Sequence, residues 1–201
     1  DNIYTKSSKL IVIRQSADVQ KIDLNKKENI ITFVGKLNKA KGYDVFGEAI
    51  LDILNQNKKW QAVVIGDEER EKLEFRHNRL KILGFKKHSE VIRIFRKTSI
   101  SVVCSRWEEP FGRTSLESAS CGCAVIITNR GGLPETITNG IILKNLSKKS
   151  VYEAISNLIT SKKKRKEIQM LSLQNFNLTH QNAAYQIDNY RTEILDKISR
   201  K

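Results

Sequence analysis

The sequence predicts an α/β fold with a doubly wound, mostly parallel β-sheet, and two observations support this fold class. Apolar runs of strand length recur along the first 145 residues, and most of them are continuous, as in strands buried on both faces. Apolar residues at helical spacing lie between several of these runs. Strands that alternate with helices are typical of a parallel sheet with helices on both sides.

Seven apolar runs are predicted to be strands: residues 10–13, 30–34, 61–65, 80–83, 100–104, 124–127 and 141–143. Helices are predicted through residues 45–54 and 91–95, where apolar side chains recur at a spacing of three or four. A further helix is predicted to begin shortly after Gly112. These elements give the alternation of strands and helices that the fold class requires.

The last part of the chain carries helical patterns only. One amphipathic helix is predicted through residues 151–159 and a second through residues 184–198. The basic run at residues 162–166 lies between these two patterns. We predict that this run is a solvated connection, because a run of like charges is usually exposed to water.

The composition fits one globular domain of 201 residues, of which 39% are apolar and 29% charged. We expect the sheet core at about 8–145 and a helical part at about 146–201. No apolar stretch approaches the ~20 residues of a membrane span, and the first residues do not resemble a signal peptide. Cys104, Cys121 and Cys123 lack common zinc spacing, so we expect reduced, buried thiols and a cytoplasmic location.

The formal net charge of +14 is the unusual feature of the composition. It leaves three explanations open: a nucleic-acid surface, an anionic membrane surface, or a proteome rich in Lys, Asn and Ile. The sequence carries no aromatic and basic RNA-binding motif, so no nucleic-acid partner is expected. Peripheral contact with the inner face of an anionic membrane stays an open hypothesis.

The most informative segment is residues 109–117, in which two glutamates enclose a turn that opens a helix. Gly112 permits tight backbone geometry, and Thr114 or Ser115 is predicted to cap the helix. A helix start attracts anions, and the two carboxylates can accept hydrogen bonds from hydroxyl groups. A ligand with phosphates and hydroxyls, such as a nucleotide sugar, fits this pair. A capping box between Thr114 and Glu117 is the structural alternative.

The other segments rich in glycine or charge also follow predicted strands. They are residues 35–42, 66–67, 84–86 and 130–135. Ligands of doubly wound sheets bind beyond the carboxyl ends of the strands, where all these segments are expected to meet. The sequence therefore predicts a single cleft at that edge.

Taken together, these segments resemble the nucleotide-sugar-binding half of a glycosyltransferase of family 4, a retaining enzyme with the GT-B fold. The matching pieces occur in family order at residues 34–42, 64–67, 83–85, 105–117, 121–125 and 131–135. The resemblance implies a Rossmann-like, C-terminal donor-binding domain. In such enzymes an N-terminal acceptor domain comes first, and we expect it to be absent from this chain. The final helix is then expected to pack back towards that missing domain.

The resemblance also implies roles for individual residues. Lys36 and Lys41 would stabilise the diphosphate and Glu109 would bind the transferred sugar, as the catalytic set. Glu117 would accept hydrogen bonds from the ribose. Lys36 stands where the family usually has arginine, so it keeps the charge but lacks the bidentate fork. The donor-binding residues that the resemblance implies are Gly35, Lys36, Lys41, Gly84, Phe85, Glu109, Phe111, Gly112, Arg113, Thr114 and Glu117.

The expected function is binding of a nucleoside-diphosphate sugar of the UDP, GDP or ADP type for metal-independent, configuration-retaining transfer. No cofactor and no metal are expected, since the chain has no Asp-x-Asp motif and its three histidines are scattered. The pathway would be glycan, lipopolysaccharide or glycolipid synthesis, and the chain alone would be incomplete for catalysis. Two alternatives stay open: a basic nucleic-acid-binding module and a catalytically inactive, transferase-like partner domain.

Overall fold

In the computed structural model, which describes residues 11–199, parallel strands form one six-stranded sheet. The strands are β1 (Glu28–Val34), β2 (Gln61–Ile65), β3 (Leu80–Ile82), β4 (Thr98–Val103), β5 (Ala124–Thr128) and β6 (Ile141–Leu143). Their order is β3-β2-β1-β4-β5-β6, and every neighbouring pair is parallel. The order reverses between β1 and β4, which is the switch point at which doubly wound sheets bind their ligands.

Helices connect the strands and follow the last of them. They are α1 (Tyr43–Gln56), α2 (His88–Lys97), α3 (Arg113–Ser120), α4 (Lys148–Thr160), α5 (Lys162–Gln174) and α6 (His180–Ser199). Two short 3-10 helices, Leu24–Lys26 and Leu133–Thr136, lie before β1 and before β6.

Both faces of the sheet are buried, and neighbouring residues of a strand point to opposite faces. Ile31 and Phe33 of β1 belong to a core that contains apolar residues of α1 and α4. Ile30 belongs to a second core, with apolar residues of α2 and α3. This two-sided burial explains the continuous apolar runs, and it confirms the predicted fold class.

The first predicted strand, at residues 10–13, is wrong for the part that the structure describes. Leu10 lies outside the described residues, and residues 11–13 form no strand. Ile11 and Val12 are 53% and 79% exposed, because the segment has no neighbouring strand that would cover it. This apolar run thus has the length and composition of a strand, but it does not pair with any strand of the sheet.

The prediction that residues 162–166 are solvated is confirmed for the four lysines, but the prediction that the run is a connection is wrong. They form the first turns of α5, which begins where the Ser161 hydroxyl accepts a hydrogen bond from the Lys164 N–H at 3.2 Å. Arg165 is buried in the middle of the run, with its guanidinium 5.0 Å from the centre of the Trp60 ring. The buried positions of α5 are polar, including Gln169, so the helix lacks the apolar stripe by which sequence patterns are recognised.

The last helix, α6, differs from the others in having no buried residue. Its apolar side chains are exposed, among them Ile187 at 52% and Ile198 at 65%. Within residues 11–199, none of the helices combines the length and the apolar character that crossing a membrane requires.

Candidate functional site

A cleft of about 160 Å³ opens at the carboxyl ends of β1 and β4, at the switch point of the sheet. Its lining residues are Phe33, Val34, Gly35, Lys41, Val103, Ser105, Glu109, Gly112, Arg113, Thr114 and Leu133. The structure thus brings together several residues predicted for donor binding, from two separate parts of the chain: Gly35, Lys41, Glu109, Gly112, Arg113 and Thr114.

An ion pair joins two of the three residues predicted to be catalytic. Lys41 Nζ donates to Glu109 Oε1 at 2.5 Å, and the side chains are 31% and 14% exposed. Partial burial strengthens such a pair relative to one in bulk water. A ligand with phosphates and hydroxyls offers each partner a replacement, since ammonium groups bind phosphate and carboxylates accept from hydroxyls.

Hydrogen bonds hold the loop at residues 35–42 both internally and against the segment that follows β4. Within the loop, the Lys41 N–H donates to Asn38 Oδ1 at 3.0 Å. Across the switch point, the Arg106 N–H after β4 donates to the Ala40 carbonyl at 2.8 Å. These contacts fix the backbone from which the Lys41 side chain reaches Glu109.

The start of α3 forms another wall of the cleft, and it is not capped as predicted. Gly112, at φ +113°, is the N-cap residue, and the helix begins at Arg113. The prediction of a Thr114 or Ser115 cap is wrong, because Ser115 instead donates its hydroxyl to the Gly112 carbonyl at 2.8 Å. The first intrahelical N–H is that of Leu116, which donates to Gly112. The N–H groups of the three residues before it are therefore available at the helix start.

Glu117 lies one turn into α3 and is 8% exposed. Its Oε1 accepts a hydrogen bond from Arg113 Nη2 at 3.1 Å, and His88 Nε2 lies 3.1 Å from the same oxygen. The capping box of Thr114 and Glu117 does not form, because the helix is already capped at Gly112. The sequence gives one signal for the His88 contact: the residue opens α2 directly after a loop at the carboxyl end of β3.

The remaining predicted residues do not line the cleft. Lys36 is exposed on the loop before Lys41, and Phe85 is 73% exposed. The Gly84 carbonyl accepts from the Gly66 N–H at 3.0 Å, so the 84–86 loop sits at the same edge of the sheet. The Phe111 side chain is buried in a small core of its own, which leaves its backbone as the part that can meet a ligand.

A loop after β5 holds the pair Glu108 and Glu109, a contact that the sequence pattern did not predict. Arg130 Nη1 donates to Glu108 Oε1 at 2.9 Å and the Gly131 N–H to Oε2 at 2.5 Å, and both hydrogen bonds hold the pKa of Glu108 below its ordinary value. The Gly132 N–H donates to the Glu109 carbonyl at 2.7 Å. The available signal was the position of this loop, because β5 neighbours β4 in the sheet.

None of the three cysteines is among the residues that line the cleft. Cys104, Cys121 and Cys123 are free and buried, and burial raises the pKa of Cys104 and of Cys121 to about 12. Among residues 11–199, no group of three or more His, Cys, Asp or Glu side chains is arranged to hold a metal ion.

Comparison with known proteins identifies the family. The profile of the family described as "Glycosyl transferases group 1" matches residues 14–170, which is more than half of the chain. The chain belongs to this family. Spore coat protein SA of Bacillus subtilis is 28% identical to this glycosyltransferase domain over 158 residues, which cover 70% of the chain and 42% of that protein. The domain spans less than half the length of the curated relatives that it matches.

Solved structures agree with this assignment. The C-terminal domain of a glycosyl transferase group 1 family protein (LpcC) from Francisella tularensis is 27% identical, with a TM-score of 0.66 over 78% of this chain and 90% of that one. Anabaena HepE, solved in complex with UDP and glucose, shares the fold at 20% identity, with a TM-score of 0.66 over 83% of this chain and 49% of that one.

Proposed function

We propose that this domain binds a nucleoside-diphosphate sugar in the cleft between the carboxyl ends of β1 and β4. The carrying observation is the pairing of Lys41 with Glu109 at 2.5 Å beside the start of α3. A cation and free backbone N–H groups suit a diphosphate, while a partly buried carboxylate suits sugar hydroxyls. The UDP and glucose in the related Anabaena structure support this ligand class.

Different residues of the site bind different parts of the ligand. Lys41 and the N–H groups at the start of α3 bind the diphosphate, with Lys36 contributing charge from the exposed side of its loop. Glu109 binds hydroxyls of the transferred sugar, and Glu117 binds the ribose. Gly84 and Phe85 flank the base from the loop after β3.

The reaction is transfer of the sugar with retention of configuration and without a metal ion. Negative charge builds on the diphosphate as it departs, and Lys41 together with the helix N–H groups stabilises that charge. The acceptor hydroxyl attacks the anomeric carbon from the face that the diphosphate leaves. Its oxygen forms the new C–O bond as the bond to the diphosphate oxygen breaks, and its proton passes to the departing diphosphate. Glu109 positions the sugar and forms no covalent bond to it.

The acceptor is bound by a further, N-terminal domain of a complete transferase. The short span relative to the curated relatives supports this division, and the exposed apolar residues of α6 are available for packing on that domain. The complete enzyme acts in glycan, lipopolysaccharide or glycolipid synthesis on the cytoplasmic side. The domain alone is expected to bind the donor and to transfer its sugar poorly.

Thermal unfolding with UDP, GDP, ADP and their sugar conjugates tests donor binding. Ligand at about 100 times its Kd adds ~2.7 kcal/mol of stability, which corresponds to a rise in Tm of roughly 5–10 °C for a domain of this size. We expect one nucleotide to raise the Tm of the wild type. Glu117→Ala should abolish most of that rise, whereas Glu167→Ala, at an exposed position of α5, should keep it.

Two results would contradict the proposal. The first is the absence of any rise with all nucleotides, checked by titration calorimetry at millimolar ligand. The second is a rise of equal size in wild type and in Glu117→Ala, which would separate nucleotide binding from the ribose contact.

Contact with an anionic membrane is a second candidate property, favoured by where the exposed lysines lie. Lys58 and Lys59 precede β2, and Lys166 Nζ reaches Asn25 before β1 at 3.1 Å. Lys97 precedes β4 and pairs with Glu28 at 3.1 Å, so this pair adds no net charge. The amino ends of parallel strands share one edge, so these lysines form a basic surface opposite the cleft. Each lysine near an anionic bilayer contributes about 1 kcal/mol of attraction.

Sedimentation with vesicles tests this property. We expect binding to vesicles of mixed phosphatidylcholine and phosphatidylglycerol, no binding to pure phosphatidylcholine, and loss of binding at 0.5 M salt because charges are screened. Equal binding to both vesicle types, or none, would refute the membrane contact. Displacement from the anionic vesicles by RNA at stoichiometric amounts would favour the nucleic-acid alternative.

A further inference from the structure

We propose that His88 positions Glu117 for recognition of the ribose diol, and thereby sets a preference for ribonucleotides over nucleotides without those hydroxyls. The inference rests on the proposed function. Its basis is the contact of His88 Nε2 with Glu117 Oε1 at 3.1 Å. The histidine side chain is 64% exposed and the glutamate side chain 11%, so the contact lies at the mouth of a partly enclosed site.

Two side chains from different helices meet at the same carboxylate oxygen, Arg113 by hydrogen bonds and His88 by a close contact. Arg113 precedes Glu117 by one turn of α3 and binds Oε1 through Nη2 at 3.1 Å and Nε at 3.3 Å. His88 reaches Oε1 from the first turn of α2. Within residues 11–199, the contacts of Arg113 and His88 with Glu117 are to Oε1, which leaves Oε2 as the acceptor for ligand hydroxyls.

Arg113 and His88 restrain the carboxylate from different helices. Arg113 is 67% exposed and belongs to the same helix as Glu117, so its long side chain fixes the orientation at a high cost in rotamer entropy. The shorter side chain of His88 ties the carboxylate to α2, which packs with α3 in the core containing Val91 and Ala119. Because α2 and α3 pack rigidly together, the contact with His88 fixes the direction in which Oε2 points.

The position of His88 also links two parts of the proposed donor site. The residue follows the loop with Gly84 and Phe85, which we assign to the base, and it contacts the carboxylate that we assign to the ribose. His88 acts through Glu117 and is thus a positioning residue.

Calorimetric Kd values for a ribonucleotide and its dideoxy analogue test this role. The probes are UDP and 2′,3′-dideoxy-UDP, and the same pairs of GDP and ADP, so that the base preferred by the domain is included. The proteins are wild type, His88→Ala, His88→Gln, Glu117→Ala and Ser89→Ala. His88→Gln retains an N–H donor, and Ser89→Ala alters an exposed neighbour that takes no part in the contact.

The wild type should bind the ribonucleotide at least tenfold more tightly than its dideoxy analogue. His88→Ala should weaken ribonucleotide binding about three- to tenfold and leave the dideoxy analogue unchanged, because the lost contact with Glu117 acts only through the diol. His88→Gln should recover most of the preference, and Ser89→Ala should keep all of it.

Each other outcome has a distinct meaning. Equal weakening of both nucleotides by His88→Ala would overturn the inference, since His88 would then contact the base or serve the fold. A preference lost in Glu117→Ala but intact in His88→Ala would overturn the role of His88 alone. A wild type without any preference, or without nucleotide binding, would overturn the proposed ribose contact itself and the inference with it. Thermal unfolding of each variant confirms that it is folded.

Discussion

The two edges of the sheet use basic residues in different ways. At the carboxyl edge, Lys41 and Arg113 face carboxylates at short distance around a cleft. At the amino edge, buried Arg165 and half-buried Arg79 donate to backbone carbonyls, while the lysines around them are exposed. The net charge of +14 therefore does not show where the nucleotide cleft lies. The cleft is marked by basic side chains that pair with carboxylates.

The arginines of the amino edge close the ends of helices. Arg79 donates through Nη1 to the carbonyls of Asn57 and Trp60, each at 2.8 Å, and through Nη2 to that of Leu54 near the end of α1. The last carbonyls of a helix have no partner inside it, and a cation there also interacts favourably with the helix dipole. Changes at this edge should therefore alter stability and leave ligand binding intact.

The largest effect is expected for Gly42→Ala at the carboxyl edge. Gly42 has φ +74°, and a Cβ there would lie 2.0 Å from the Cys104 carbonyl oxygen after β4. The strain of the left-handed backbone and the overlap together should cost about 3 kcal/mol of unfolding free energy. Urea unfolding measures this loss, and nucleotide binding should fall with it because the 35–42 loop must move away from β4.

Gly84→Ala is the matched control for this prediction. Gly84 has φ +64°, yet a Cβ there meets no atom within 4 Å. The substitution should cost about 1 kcal/mol, which is the backbone strain alone. Equal costs at Gly42 and Gly84 would show that the close approach of the two loops adds nothing to stability.

At the amino edge, Arg79→Met should cost about 2 kcal/mol, because it removes the donor for three carbonyls. Arg76→Met is its control, since Arg76 is largely exposed and pairs with Glu74 at the surface. Chemical unfolding should separate the two variants, while the Kd for the nucleotide should be that of the wild type in both. A weaker Kd in Arg79→Met would mean that the edges are coupled.

The sequence predicted the carboxyl edge better than the amino edge, for a physical reason. Strands buried on both faces give continuous apolar runs, and loops at their carboxyl ends meet wherever the sheet is parallel. The bounds of β2 and β6 follow directly from such runs. Gly35, Lys41 and Glu109 were then expected at one cleft, and the structure brings them together there.

The features that the sequence did not predict depend on partners that are distant along the chain. His88 meets Glu117 across two helices, and Glu108 meets Arg130 across β5. Helix α5 buries Arg165 and Gln169 through hydrogen bonds to backbone carbonyls, which no hydrophobic periodicity reveals. Residues 11–13 show the reverse case, in which an apolar run has no neighbour to pair with.

A smaller effect, of opposite sign, is expected for Tyr43→Phe at the start of α1. The Tyr43 hydroxyl is buried without a partner among the described residues, and burial raises its pKa from 10.0 to about 12. Removing the hydroxyl should stabilise the fold by about 1 kcal/mol. Because the folded state holds this proton more tightly than the unfolded state, wild-type stability falls as the pH rises from 10 to 12, and the variant should lose less. Unfolding of both proteins at pH 7 and pH 11 measures the difference, and a less stable variant would contradict the unpartnered hydroxyl.

The smallest effect is expected for Lys162→Gln, Lys163→Gln and Lys164→Gln combined. These exposed lysines occupy the first turn of α5, where positive charge opposes the helix dipole. The triple variant should melt roughly 1–3 °C higher at low salt and gain less at 0.5 M salt, where charges are screened. Its nucleotide Kd should stay unchanged while its binding to anionic vesicles falls, because Lys162 lies beside Lys166 of the basic surface. That result would separate the two edges by function. A nucleotide Kd weakened in step with vesicle binding would instead mean that the basic surface contributes to the cleft through its long-range field.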